Sequence, residues 1–286
     1  MSATQAPAGR RAIPGGRWAH VTRPTGRGEA MVAGLVVLGV SLTVTVAGAF
    51  VTLGLMPASS GTIRALVVLG VLTLLAAVVR PRFGSWAQLG VKPWSRWSRR
   101  PLLLLPLVLA LSPLAFGVRS VEPAAWIVLG VGYTMTGFTE ELVWRGMVLR
   151  VLAPLGAVRG PLVGSVLFGL AHLSNVLFRD SVALVAAQAW GAFCFGVGYA
   201  ALRRRTGTIV PLMGLHLLTD ACAAVSAGPT IALLVGQDVV LLTFGVLLLA
   251  RESWASRHPG RPAAGASGRE AATSPDRSAP PAPNLQ

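Results

Sequence analysis

The sequence is poor in charge, and poorest in negative charge. Only 12% of its 286 residues are Asp, Glu, Lys or Arg, and 10 acids stand against 25 basic residues. Water-soluble domains carry about twice that charged fraction, so a soluble globule with a polar shell is excluded. Cysteine is scarce too. Cys194 and Cys222 are the only two, and both lie inside apolar blocks. That argues against a disulfide framework and against a thiolate metal cluster. HExxH is absent, and so is any repeat of fixed period. The first apolar block is too long, and too far from the N-terminus, for a typical cleaved signal peptide.

What the chain has in excess is apolar residues, 53% of the total, with a mean hydropathy of +0.65. They come in blocks rather than at amphipathic spacing. About 20 such residues cross the ~30 Å hydrocarbon core as a helix. Eight blocks can be read, at approximately 30–56, 62–79, 101–118, 124–144, 160–178, 182–202, 208–226 and 229–250. The second, third and seventh are short or rich in Pro and Gly. The expected fold is all-α, a polytopic membrane helix bundle of about eight transmembrane helices.

A net charge of +15 invites a nucleic-acid reading. The positions of the cations argue otherwise. Arginines cluster before the first block, between the second and third (Arg80 to Arg100), after the fourth (Arg145, Arg150, Arg159), after the sixth (Arg203, Arg204, Arg205) and after the eighth. The intervening connections hold only Arg64, Arg119 and Arg179. Basic residues stay on the cytoplasmic side during insertion, so both termini are expected in the cytoplasm and no nucleic acid is needed. Anionic headgroups would be attracted to the same face. Residues 1–29 and 251–286 are expected to be disordered basic tails around a transmembrane domain at 30–250.

Ionisable residues inside spans are costly and point to function. Glu140, Glu141 and Arg145 sit near the end of the fourth block. Glu141 and Arg145 are i,i+4 neighbours able to pair, which leaves Glu140, about 100° away, as an available base. Interfacial charges at a helix end would look the same. In the fifth block Phe168 and His172 share a face at i,i+4, which fits a ring packed on an imidazole, although a lone histidine often only joins two helices. In the seventh, His216 and Asp220 are again i,i+4, and the acid can orient the ring or join it as a ligand. Asp238, beside Gln237, has no partner at helical spacing and reads as structural. Depth connects the first three. Counted from the flanking arginines at 1.5 Å per residue, Glu140 lies roughly 15 Å deep, His172 roughly 20 Å, and His216 and Asp220 roughly 16 and 22 Å. Three helices bring acids and histidines to one layer.

EExxxR, then FxxxH, then HxxxD in place of HxxxN, on successive spans, resembles the CAAX prenyl protease and bacteriocin-processing (CPBP) family. This family is also called the abortive-infection or Ras-converting-enzyme-type intramembrane peptidases. The likeness covers a catalytic core at about 120–225, including the approach GVGYAALRRRTGTIVPLMGLH up to His216. It implies an intramembrane endopeptidase acting on a membrane-associated protein or peptide, with Glu140, Glu141, Arg145, His172, His216 and Asp220 in the conserved positions. It also implies a multi-pass protein of the plasma membrane, of bacterial type. Asp220 stands where the family has Asn. An amide donates to an oxyanion and an ionised carboxylate repels it, so Asp220 is protonated, or orients His216, or binds a metal.

Amide hydrolysis needs an activated water and a stabiliser for the tetrahedral oxyanion. In one scheme Glu140 and His172 polarise the water and His216 serves the oxyanion. In another, His172, His216 and Glu140 hold Zn²⁺ with a site open for water; the family is often labelled metalloprotease. Two other classes stay open. One is a proton- or ion-coupled transporter using the same groups as a relay, and the other a non-catalytic membrane scaffold.

Overall fold

The computed structural model describes residues 19–93, 97–228 and 231–258. Eight main helices follow one another: α1 Arg27–Leu55, α2 Gly61–Phe83, α3 Arg99–Phe116, α4 Pro123–Glu140, α5 Arg159–His172, α6 Val182–Thr206, α7 Val210–Val225 and α8 Ile231–Arg257. Each corresponds to one of the eight apolar blocks. α3 is regular only over Leu104–Leu111, because prolines at 101 and 113 fall in 3-10 turns at its two ends. Proline lacks the N–H that a continuous helix needs there.

Six helices are long and apolar enough to cross a bilayer: α1, α2, α3, α5 with its extension to Leu177, α6 and α8. Their outward faces are lined by exposed apolar side chains such as Phe50, Leu74 and Val182. This suits lipid and not water. α4 is not among the six, and α7 has only 16 residues. These two helices carry both acidic motif positions and His216, and polar residues are what lowers α4's hydropathy.

α6 lies between α5 and α8, α7 packs on α3 and α4, and α1 contacts α2 and α5. Past Glu140 the fourth helix widens into a π-helix, Glu141–Val148, whose end is marked by the N–H of Leu149 bonding back to the carbonyl of Trp144. Leu142, Val148, Val151 and Leu152 here are fully buried against α1, α2 and α5. The bundle is tied at both ends. On the face with Arg203–Arg205, Gly90 accepts from the N–H of Ile209 at 2.9 Å and Lys92 from the Thr208 hydroxyl at 2.9 Å. On the opposite face Val118 pairs with Ser226 in a single antiparallel bridge, and Ser226 Oγ donates to the Pro113 carbonyl at 2.7 Å.

Helix extends into both expected tails. α1 starts at Arg27 after a helical turn at Ala19–Thr22, and α8 runs past 250 to Arg257. The reason for the second extension is the Glu252 carboxylate, which Arg204 of α6 grips through Nε and Nη2. The expected tail residues 1–18 and 259–286 lie outside the described residues.

Candidate active site

Glu140 ends α4, where the backbone changes from α to π geometry. Glu141 follows it, and both acids reach the same ring on α7. His216 Nδ1 lies 3.0 Å from Glu141 Oε1, while its Nε2 lies 3.6 Å from Glu140 Oε2. The imidazole is therefore clasped from two sides by consecutive carboxylates. α4 and α7 can approach this closely because residue 137 is glycine: a Cβ there would lie 2.8 Å from the Met213 carbonyl oxygen and 3.6 Å from the His216 Cβ. π-Helical insertions are frequent at functional sites, and here one sits on the acidic pair itself.

His172 ends α5 and enters from the other side. Its Nδ1 donates to the Phe168 carbonyl at 2.9 Å, and the two rings meet edge to face with centroids 4.6 Å apart. That bond fixes the tautomer. Nε2 of a neutral His172 then carries a lone pair, and it points to Glu140 Oε1 at 3.9 Å. Asp220, one turn beyond His216, places Oδ2 3.7 Å from His216 Nε2. Glu140, His172, His216 and Asp220 thus meet in one cluster, as the common depth implied. Glu140 and Asp220 remain partly exposed, at 21% and 30%.

Arg145 lies beneath the cluster, 2% exposed, with Nη1 3.2 Å from the fully buried Glu141. Its guanidinium stacks 4.3 Å from the Phe168 ring centre and 5.4 Å from that of Phe195. The pairing of Glu141 with Arg145 was expected. The second duty of Glu141, holding His216 across 75 residues of sequence, was not. Two aromatic residues of α6 also escaped the sequence reading. Phe195 and Tyr199 stack at 3.8 Å, and Phe195 packs on His216 at 4.7 Å. Their signal was an i,i+4 aromatic pair in the Gly-rich run of α6.

Orientation of His216 falls to Glu141, which bonds Nδ1, and not to Asp220, which faces the opposite nitrogen. His172, His216 and Glu140 are the residues of the possible Zn²⁺ scheme, which stands beside the metal-free one. Among the described residues no group of three or more His, Cys, Asp or Glu side chains is arranged to hold a metal ion. The two Nε2 atoms address different oxygens of Glu140. Asp238 lies outside the cluster against Gly191, and its neighbour Gln237 donates to the Leu109 carbonyl and to Ser112, a structural tie between α8 and α3.

Residues 122–222 match the family model described as type II CAAX prenyl endopeptidase Rce1-like. Over this stretch the chain is similar to the Rce1-like family. No curated protein and no solved structure matches the chain. The matched region runs from α4 to α7 and contains all six motif residues. α1, α2, α3 and α8 lie outside it and supply the lipid-facing wall.

Proposed function

We propose that the protein is an intramembrane endopeptidase of the CAAX type, hydrolysing a peptide bond of a membrane-associated protein or peptide. The observation that carries this reading is the Glu140 carboxylate held between two imidazole Nε2 atoms at 3.9 and 3.6 Å. Both separations are too long for good hydrogen bonds and suit bridging through one water. A water between Glu140 and His172 gives one proton to each acceptor and leaves an oxygen lone pair for the scissile carbonyl. Glu140 takes the proton as the C–O bond forms and passes it to the leaving amine as the C–N bond breaks. His216, protonated also at Nε2, donates to the oxyanion while Glu141 keeps the ring from turning. The test is to compare peptides released from membranes by the purified protein and by a heat-inactivated sample. A complete lack of new peptides across several membrane sources would count against the reading.

Asp220 faces the donor nitrogen of His216, so the reading assigns it as an ionised partner of that ring. Asp220→Asn is then expected to lower turnover by about 10–100-fold, the usual effect of removing a group that supports a first ligand or catalytic ring. Turnover is measured for both proteins with and without a chelator. Full activity of the Asn variant would mean that residue 220 acts as a neutral donor to the oxyanion. Chelator-sensitive activity restored by Zn²⁺ would move the water onto a metal.

Arg150, Arg203 and Arg204 gather with Glu252 around one cavity, which supports placing that face and both termini in the cytoplasm. Ser59→Cys and Gly228→Cys are expected to react with an impermeant thiol reagent in intact cells. Labelling of both only after permeabilisation would invert this topology.

A further inference from the structure

A second polar cavity lies away from the candidate active site. It has a volume of about 290 Å³ and sits among the ends of α6 and α8 and the π-helical segment, lined by Gln88, Arg145, Arg150, Arg203, Arg204 and Glu252. That volume is near the lower edge of the ~300–1,000 Å³ typical of small-ligand sites. Four of the six named side chains are guanidinium groups. Glu252 compensates Arg204. Arg150 and Arg203 have no carboxylate within ion-pair distance among the described residues.

The cavity is built, not incidental. Its floor is Arg145, only 2% exposed, whose Nη1 pairs with Glu141 and whose Nη2 has no hydrogen-bond partner among the described residues. The Nε of Arg203 is likewise buried without one. Room for Arg203 depends on Gly90, in the left-handed region at φ +97°, where any Cβ would lie 2.6 Å from the Arg203 Cζ. Buried donors left without acceptors cost about 1–3 kcal/mol each, more when charged. A tetrahedral oxyanion meets guanidinium donors arriving from several helices better than a single flat carboxylate does. The position completes the argument. The cavity lies where α6 ends in three successive arginines, at the level of the bilayer surface, where basic pockets between helices bind lipid headgroups.

We propose that this cavity binds the phosphate group of an anionic phospholipid. The floor of the site is the guanidinium that also pairs with Glu141, so the headgroup shares a residue with the support of His216. The full-length protein in mild detergent is titrated with phosphatidylglycerol, with phosphatidylcholine and with inorganic phosphate. Melting temperature and lipid adducts in native mass spectrometry are both read. Phosphatidylglycerol is expected to raise the melting midpoint saturably and to stay bound, while phosphatidylcholine does neither. Arg150→Gln should weaken the effect about tenfold, in line with losing one charge-assisted hydrogen bond. Arg203→Gln should do the same, but Arg203 also packs on Gly90, so Arg150→Gln decides. Arg82→Gln, outside the cavity, should bind as the wild type does. An equal response to inorganic phosphate would keep the phosphate site and make a soluble phosphate its source. Absence of any response to both anions, or a response undiminished in Arg150→Gln, overturns the proposal.

Discussion

Glu140→Gln is expected to abolish peptide-bond hydrolysis while leaving the protein folded. The amide keeps the size and polarity of the acid and can still lie between His172 and His216. What it loses is the ability to accept and pass on a proton. A positioned acid–base group contributes about 10²–10⁴-fold, and the same carboxylate here takes part in both water activation and departure of the amine. Little stability depends on it, because Glu140 is partly exposed and its Oε2 makes no hydrogen bond. The expected melting temperature is that of the wild type, with turnover near background. Substantial residual hydrolysis would show that another group is the base.

Arg145→Ala is expected to act in the opposite way, on the amount of folded protein first. Glu141 is fully buried, with the permanently charged Arg145 at 3.2 Å and the His216 ring at 3.0 Å. Removing one member of a buried ion pair typically costs about 3–5 kcal/mol, because a charge is left in low dielectric without compensation. The stacking on Phe168 and Phe195 is lost as well. Melting temperature and yield of monodisperse protein should both fall sharply. A double variant, Arg145→Ala with Glu141→Gln, should recover part of the loss, since it removes the stranded charge. Arg145→Lys should recover less than its charge alone would suggest, because an ammonium cannot stack flat between the rings. A single Arg145→Ala variant that melts like the wild type would sink this account.

The helices, their order and the meeting of Glu140, His172 and His216 were legible because they rest on one-dimensional signals. Apolar runs, arginine markers and i,i+4 spacing all survive in a string of letters. The Glu141–Arg145 pair and the Phe168–His172 contact follow from the same periodicity. The clasp on His216 does not. A regular α-helix turns Glu140 and Glu141 about 100° apart and gives each its own surroundings. Only where the helix widens, with α7 drawn in against Gly137, do both acids reach one ring. No spacing rule links residue 141 to residue 216, so Glu141 read as the partner of Arg145 alone, and orientation of the ring was open only to Asp220, the acid nearest in sequence. The same bias hid Phe195 and Tyr199, which act on His216 from a different helix. The basic cavity was invisible for a related reason: its arginines read as topology markers on separate loops, and only the folded bundle gathers them.

The short α7 is moored at both ends, by Ile209 on Gly90 at one and by Ser226 on Pro113 and Val118 at the other. A helix fixed in this way cannot slide along its axis or swing towards a substrate. The His216 ring, further locked by Glu141, is set in place when the chain folds and not when a peptide arrives. On the proposed reading, substrate entry is accommodated by the incoming segment, which uncoils and presents its backbone to a stationary site. Selectivity would then depend less on shape than on how readily a membrane-associated chain gives up its own helix.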